Sequence, residues 1–317
     1  MKIATVTLNP AIDMTTRADG FQTNTVNRGQ TMQFDAGGKG VNVASFLADY
    51  GYATAVTGFL GQENAGIFEQ LFARKRIEDH FVRIAGSTRI GVKIVDEANQ
   101  QTTDINMPGL VPTTEAMNAL LEKIEELAAS NDWFALSGNL PPGMPTTIYA
   151  TIITQLKRHG KQMILDTSGE ALREGVLAGP TIVKPNADEL QQLTGHSITD
   201  EVALEQAARQ LLDNGIQLVV ISMGERGAMF VDAATTLLAV PPLVKVKSTV
   251  GAGDAMVAGL IAGQVQGLSL SDCARLATAF SLGAITSAGH NLPTPEALQA
   301  YVQQVSVHKW TSVPRNV

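Results

Sequence analysis

The chain has 317 residues, 44% hydrophobic and 17% charged, with 30 acidic against 23 basic side chains and a formal charge of −7. That balance supports a large packed core and excludes a disordered chain, and the net negative charge disfavours nucleic acid and anionic membrane as partners. The single cysteine, Cys273, permits no intrachain disulfide, no run of about 18 apolar residues reads as a membrane span, and the cytoplasm is the expected location.

The first apolar run, residues 3–8, leads into Asn9-Pro10 and is expected as a strand, not a signal peptide. A helix follows over 40–50: Val43, Phe46, Leu47 and Tyr50 recur at helical spacing, and Gly51 supplies the stop. Further strands are expected at 54–60, 132–137, 162–167, 181–184 and 218–223, with helical periods between them at 64–75, 114–129, 146–159, 187–194 and 200–214. Strands joined by helical crossovers predict an α/β fold with a mainly parallel sheet covered on both faces. Segments 13–35 and 88–107 break this rhythm. In Arg89-Ile90-Gly91-Val92-Lys93-Ile94-Val95 the alternation puts Ile90, Val92 and Ile94 on one face and Arg89, Gly91 and Lys93 on the other. These segments predict a small separate sheet, a candidate lid, within one domain spanning 1–317, and the last dozen residues are expected as a loosely held tail.

In an open parallel sheet, ligands bind beyond the carboxyl ends of the strands. Those positions read Ser137-Gly138-Asn139, Asp166-Thr167-Ser168, Lys184-Pro185-Asn186 and Ser222-Met223-Gly224, all small or polar. The sharpest signal is Gly251-Ala252-Gly253-Asp254, which opens a nearly all-apolar helix. Such a helix is buried, so its N-terminal N–H groups face the cleft at low dielectric, where glycines let an anion approach. A carboxylate beside an anion hole suits a general base that accepts the proton of an attacking hydroxyl. The plainer alternative is a first-turn Asp favoured by the helix dipole.

Near the N-terminus, Asp13 and the glycine-rich stretch ending at Asn42, with Gly38 and Lys39, offer close backbone contact and hydrogen bonds to a polyhydroxy ligand. A flexible turn with a solvated lysine is the alternative. Asn186 and Glu189 have capping-box spacing and equally suit water-mediated organisation of Mg²⁺. No G-x-G-x-x-G, no G-x-x-x-x-G-K-[ST] and no metal-ligand spacing among the five histidines is present, so a hydrolase or metalloenzyme reading has no support.

Four stretches together carry a family resemblance: Gly37-Gly38-Lys39-Gly40-x-Asn42, residues Ser137 to Gly143, Lys184-Pro185-Asn186-x-x-Glu189, and Ser248 to Asp254. Through them the chain resembles the PfkB/ribokinase family of carbohydrate kinases over about residues 1–305. Residues Thr5 to Asp13, Thr88 to Lys93 and Thr103 to Gly109 are most similar to the branch that acts on fructose 1-phosphate. Kinases of tagatose 6-phosphate and fructose 6-phosphate are near relatives, and a non-catalytic sensor of sugar phosphate or nucleotide is the alternative of another class.

The resemblance implies a Rossmann-like core, a β-sheet lid through which such chains commonly dimerise, and ATP with Mg²⁺. It implies Asp254 as base, Gly251, Ala252 and Gly253 as anion hole, and Asn186 with Glu189 at the metal. Nucleotide contacts fall to Lys184, Ser222, Gly224 and Gly227. Sugar contacts fall to Asp13, Gly38, Lys39, Asn42 and the Ser137-Gly138-Asn139 turn, where Asn139 replaces the commoner Ser. Arg89 is implied at the substrate phosphate, and Lys93, two residues along the same strand face, can reach toward the same group.

Overall fold

A computed structural model describes residues 1–287, 289 and 291–311 of the protein. The chain runs β1 (Ile3–Thr7), β2 (Ala11–Arg17), β3 (Thr31–Gly37), α1 (Lys39–Asp49), β4 (Thr54–Gly61), α2 (Gly66–Lys75), β5 (Glu78–Asp79), β6 (Val82–Ile84), β7 (Ile90–Asp96) and β8 (Gln101–Asn106). It continues through α3 (Thr114–Ala128), β9 (Trp133–Ser137), α4 (Ile148–Arg158), β10 (Gln162–Asp166), α5 (Gly169–Leu177), β11 (Ile182–Val183), α6 (Ala187–Thr194), α7 (Glu201–Leu212) and β12 (Leu218–Ser222). The last described elements are β13 (Ala228–Asp232), β14 (Thr236–Val240), α8 (Ala252–Val265), α9 (Leu270–Thr286), α10 (Pro295–Gln304) and β15 (Ser306–Lys309).

The main sheet has the order β15-β14-β13-β12-β11-β10-β9-β1-β4-β5, with β6 also paired to β4. From β12 to β5 all neighbours are parallel, and β13 to β15 add an antiparallel edge. The strands bury both faces, as parallel strands between helical layers must. On one side Val6, Leu136, Leu165, Val219 and Ile221 pack against α3 to α7 through Leu120, Ile152, Leu172, Leu190 and Leu204. On the other, Ile3, Ala135, Ile164 and Val220 pack against α1, α8, α9 and α10 through Phe46, Val257, Phe280 and Leu298.

The antiparallel edge corrects the expected tail. Residues 306–309 form a strand whose partner is β14, and the Trp310 N–H donates to the Thr236 carbonyl. The remainder of the predicted tail, 312–317, lies outside the described residues.

The two irregular segments form the expected separate sheet, of order β3-β2-β7-β8, with β2 and β7 parallel and the other pairs antiparallel. Register aligns Phe34, Met14, Val92 and Ile105 across one face, and Asp35, Asp13, Gly91 and Asn106 across the other. The apolar face is open to solvent, with Phe34 and Ile105 at 43% and 45% exposure. Two polar clasps fix the sheet. Asp96 accepts N–H bonds from Gly20 and Phe21, and the Asn64 amide pairs with both the N–H and the carbonyl of Thr88, immediately before β7.

Candidate active site

Strands β1, β9 and β10 end side by side, and polar residues that follow them, Asn9, Gly138-Asn139 and Thr167-Ser168, form the floor of a cleft of about 910 Å³ roofed by the small sheet; the residues immediately after β11 and β12 do not line it. Asn9, Asp13, Gly38, Lys39, Asn42, Arg89, Gly138, Asn139, Glu189 and Asp254 all line it. Sequence positions from 9 to 254 thus meet in one space large enough for a small polar ligand.

Helix α8 enters this cleft through Gly251, whose φ of 80° and ψ of −2° set the left-handed turn into the first helical residue. Glycine tolerates that conformation without a Cβ penalty. The first regular helical bond runs from Ala255 N–H to the Gly251 carbonyl, so the N–H groups of Gly253 and Asp254 lie ahead of the helical ladder. No capping side chain occupies this end. The helix is buried from Asp254 to Gly263 between α1 and α9, while Gly251, Ala252 and Gly253 at its positive end are half-buried.

Asp254 is itself 7% exposed and accepts a hydrogen bond on Oδ2 from Asn42 Nδ2 at 2.7 Å. Asn42 is buried on the first turns of α1, and its Oδ1 has no hydrogen-bond partner among the described residues. A buried carboxylate that faces a cleft can accept a proton.

A second buried carboxylate, Asp166, ends β10 at 1% exposure. Lys39 Nζ lies 3.2 Å from both of its oxygens, and Lys184 Nζ lies 3.3 Å from Oδ1. Burial works against the Asp166 charge, but Lys184 and Lys39 outweigh it and hold the carboxyl below its ordinary range. Burial likewise works against the Lys39 ammonium, and Asp166, Asp254 and Glu189 together reverse it, so its pKa is raised. Sequence reading placed Asp166 at a strand end without a role, because neither lysine is near it in the chain.

On the roof, Arg89 donates through Nη2 to the Asn9 carbonyl at 3.3 Å, while its buried Nε has no partner among the described residues. Burial pulls its pKa down, and the Asp13 charge opposes that. Such a guanidinium is a ready donor for an anion. Lys93 differs from expectation. Its ammonium lies 3.6 Å from Asp104 on the neighbouring strand, and it is not among the residues that line the cleft. Alternation put Lys93 on the correct face, but an acidic neighbour across the ladder holds it there.

Ser137 is fully buried and does not line the cleft, whereas Gly138 and Asn139 do. The Gly138 carbonyl accepts from both Tyr149 Oη and Thr167 Oγ1, which fixes this turn.

On the far side, Asn186 bridges to Ser222 and forms the predicted capping box: Asn186 Oδ1 accepts from Glu189 N–H, and Glu189 Oε2 accepts from Asn186 N–H. A Cβ built on Gly253 would lie 3.5 Å from Lys184 Nζ, so that ammonium adjoins the start of α8. Gly224 and Gly227 flank a single helical turn after β12. Among the described residues no group of three or more His, Cys, Asp or Glu is placed to hold a metal. Glu189 on the cleft wall, half engaged in its cap, suits a hydrated Mg²⁺ bound mainly by phosphate oxygens better than a protein cage.

No helix of the described residues is long and apolar enough to cross a membrane. Residues 6–297 match the model of the pfkB family carbohydrate kinases. The chain is 47% identical to a 1-phosphofructokinase of Rhodobacter capsulatus over 308 residues, covering 97% of this chain and 98% of the relative. It is 45% identical to a 1-phosphofructokinase of Xanthomonas campestris pv. campestris, covering 94% and 96%. Its fold superimposes on the crystal structure of phosphofructokinase-2 from Escherichia coli in complex with substrates and products with a TM-score of 0.89, at 28% identity and over 96% and 99% of the two chains. The likeness extends along nearly the whole length, and this chain belongs to the pfkB family of carbohydrate kinases.

Proposed function

We propose that this protein transfers the γ-phosphoryl group of ATP to the free primary hydroxyl of fructose 1-phosphate, giving fructose 1,6-bisphosphate and ADP. The observation that carries the reading is one cleft with the Asp254 carboxylate, in the first turn of α8, on its floor and a half-buried Arg89 guanidinium, its Nε without a partner among the described residues, on its roof. A sugar phosphate fits such a polarity, with its hydroxyl at the base and its phosphate at the guanidinium. The 47% identical 1-phosphofructokinase relative favours the 1-phosphate.

In this reading Asp254 takes the proton of the attacking hydroxyl as the new O–P bond forms and the bond to ADP breaks. Asn42 holds the carboxylate through Nδ2 and offers its free Oδ1 to a sugar hydroxyl. The N–H groups of the Gly251–Gly253 turn and the Lys39 and Lys184 ammoniums receive charge that accumulates on the phosphates. Asp13, Gly38 and Asn139 orient the sugar, and Ser222, Gly224 and Gly227 shape the nucleotide side. Mg²⁺, when bound beside Asn186 and Glu189 through water, supplies neutralising charge to the ATP oxygens. The small sheet acts as a lid that excludes water over the sugar. Its open apolar face suits a second copy of the same chain, making a homodimer. A kinase that draws on ATP suits the cytoplasm.

Steady-state ADP release with fructose 1-phosphate, fructose 6-phosphate and tagatose 6-phosphate tests the assignment. The highest kcat/KM is expected for fructose 1-phosphate, with Asp254→Asn losing about 10³-fold or more in kcat while ATP binding persists. A preference for either 6-phosphate overturns the substrate, and ligand binding without ADP release makes the protein a sensor.

A further inference from the structure

The base and the anion-holding turn leave one buried charge of the cleft unused. Asp166 stands between the Lys39 ammonium, on the first residue of α1 beside the sugar positions, and the Lys184 ammonium, after β11 beside the start of α8. We propose that Asp166 is a positioning residue for phosphoryl transfer, pairing with both lysines at once so that the two ammoniums are held at the junction of the sugar and nucleotide halves. This rests on the transfer reaction proposed above.

Three features support it. Both Asp166 oxygens are within hydrogen-bond reach of an ammonium, so the carboxylate engages both lysines. The cluster keeps one positive charge in excess, and Lys39, whose side chain is 42% exposed against 5% for Lys184, carries that excess toward the cleft. The Asp166 backbone also anchors the sugar-side turn. Its carbonyl accepts from Gly138 N–H at 2.9 Å, and the Gly138 carbonyl is held by Thr167 and Tyr149. The acidic groups facing Lys39 are Asp166, Asp254 and Glu189, with Lys184 across the shared carboxylate and the Tyr149 hydroxyl near Asp166. Removing the Asp166 charge leaves burial as the larger influence on the Lys39 ammonium, which favours its neutral form.

The test uses Asp166→Asn and Asp166→Glu in the full chain. Wild-type turnover is measured first and fixes the sugar, so a wrong substrate assignment is recognised before the variants are compared. On that sugar, D166N is expected to lose about 100-fold in kcat with KM values within about threefold, and its alkaline limb should move down toward neutral pH. The Mg²⁺ dependence should stay unchanged. D166E should return the alkaline limb toward that of the wild type while kcat stays low, because charge is restored and spacing is not. A D166N enzyme with kcat within about threefold of wild type, or one rescued by excess Mg²⁺, overturns the proposal. Should D166N not fold, Lys39→Met, Lys184→Met and the double variant replace it. Effects on kcat that fall short of multiplying by about tenfold are expected from a shared carboxylate, and independent, multiplicative effects overturn it.

Discussion

Replacing Asn42 by Ala separates catalysis from stability, because the two atoms of its amide stand in opposite situations. Nδ2 donates to the buried Asp254 carboxylate at 2.7 Å, a charge-assisted bond worth about 1.5–3 kcal/mol. Oδ1 is buried without a partner among the described residues, and its desolvation costs about 1–3 kcal/mol in the folded state. Truncation removes both, so the net change in folding stability is about 1 kcal/mol, a few degrees in Tm for a chain of this size. The reaction has no such offset. Asp254 loses a donor that orients it, and kcat falls by about 10- to 150-fold. Asn42→Asp instead sets a carboxylate against Asp254, which raises the pKa of the pair and moves the acid limb of the rate profile upward. Coupled ADP-release kinetics and scanning calorimetry on the same preparations read both quantities. An N42A enzyme with kcat within about threefold of wild type, or one that loses activity only in step with a fall of about 10 °C in Tm, refutes the reasoning.

Arg89→Ala removes the roof cation and should raise KM for the sugar phosphate by about 10- to 100-fold with kcat much less affected, as substrate titrations will show. Gly227 has φ of 90°, and a Cβ there would lie 1.9 Å from the Ala239 carbonyl oxygen, so Gly227→Ala should cost about 2–4 kcal/mol and lower Tm by about 5–15 °C in calorimetry. Asp96 is drawn from 3.8 to about 2, first by the Asn99 side chain and then by backbone donors including Gly20 and Phe21. Because its pKa is depressed on folding, its contribution is full above 3.8 and fades as pH falls toward 2. Asp96→Asn should therefore reproduce the acid effect at neutral pH, with faster hydrogen exchange at Gly20 and Phe21 than in wild type. Unchanged exchange would remove Asp96 from the clasp.

Most of the parallel core was legible because its signals are local: apolar runs of strand length, helical spacing such as Val43, Phe46, Leu47 and Tyr50, and polar residues where strands stop. The proposed base, Asp254, was a candidate for the same reason, since Gly251 to Asp254 and the apolar helix behind them are contiguous. Helix α5 and strands β13 to β15 were less so. Helix α5 is nine residues opening on Gly169, and β15, Ser-Val-His-Lys, has one apolar residue and becomes a strand only because β14 presents an edge. The Asp166 cluster was hidden by topology, as residues 39, 166 and 184 meet only once the crossovers through α1, α3, α4 and α5 are complete. The Lys93 expectation failed on pairing: alternation assigns a face, but only the β7–β8 register brings Asp104 opposite.

Helix α8 has no wet side, and that has a consequence for how function fails. Its ladder amides from Ala255 to Gly263 lie among α1, α9 and the sheet, so they have no route to exchange or fray short of opening the core. The small sheet, with an open face and exposed edges, can loosen separately. On warming or in mild denaturant the protein should therefore lose its grip on the sugar before it loses the base, passing through a state whose chemistry is intact and whose selectivity is gone.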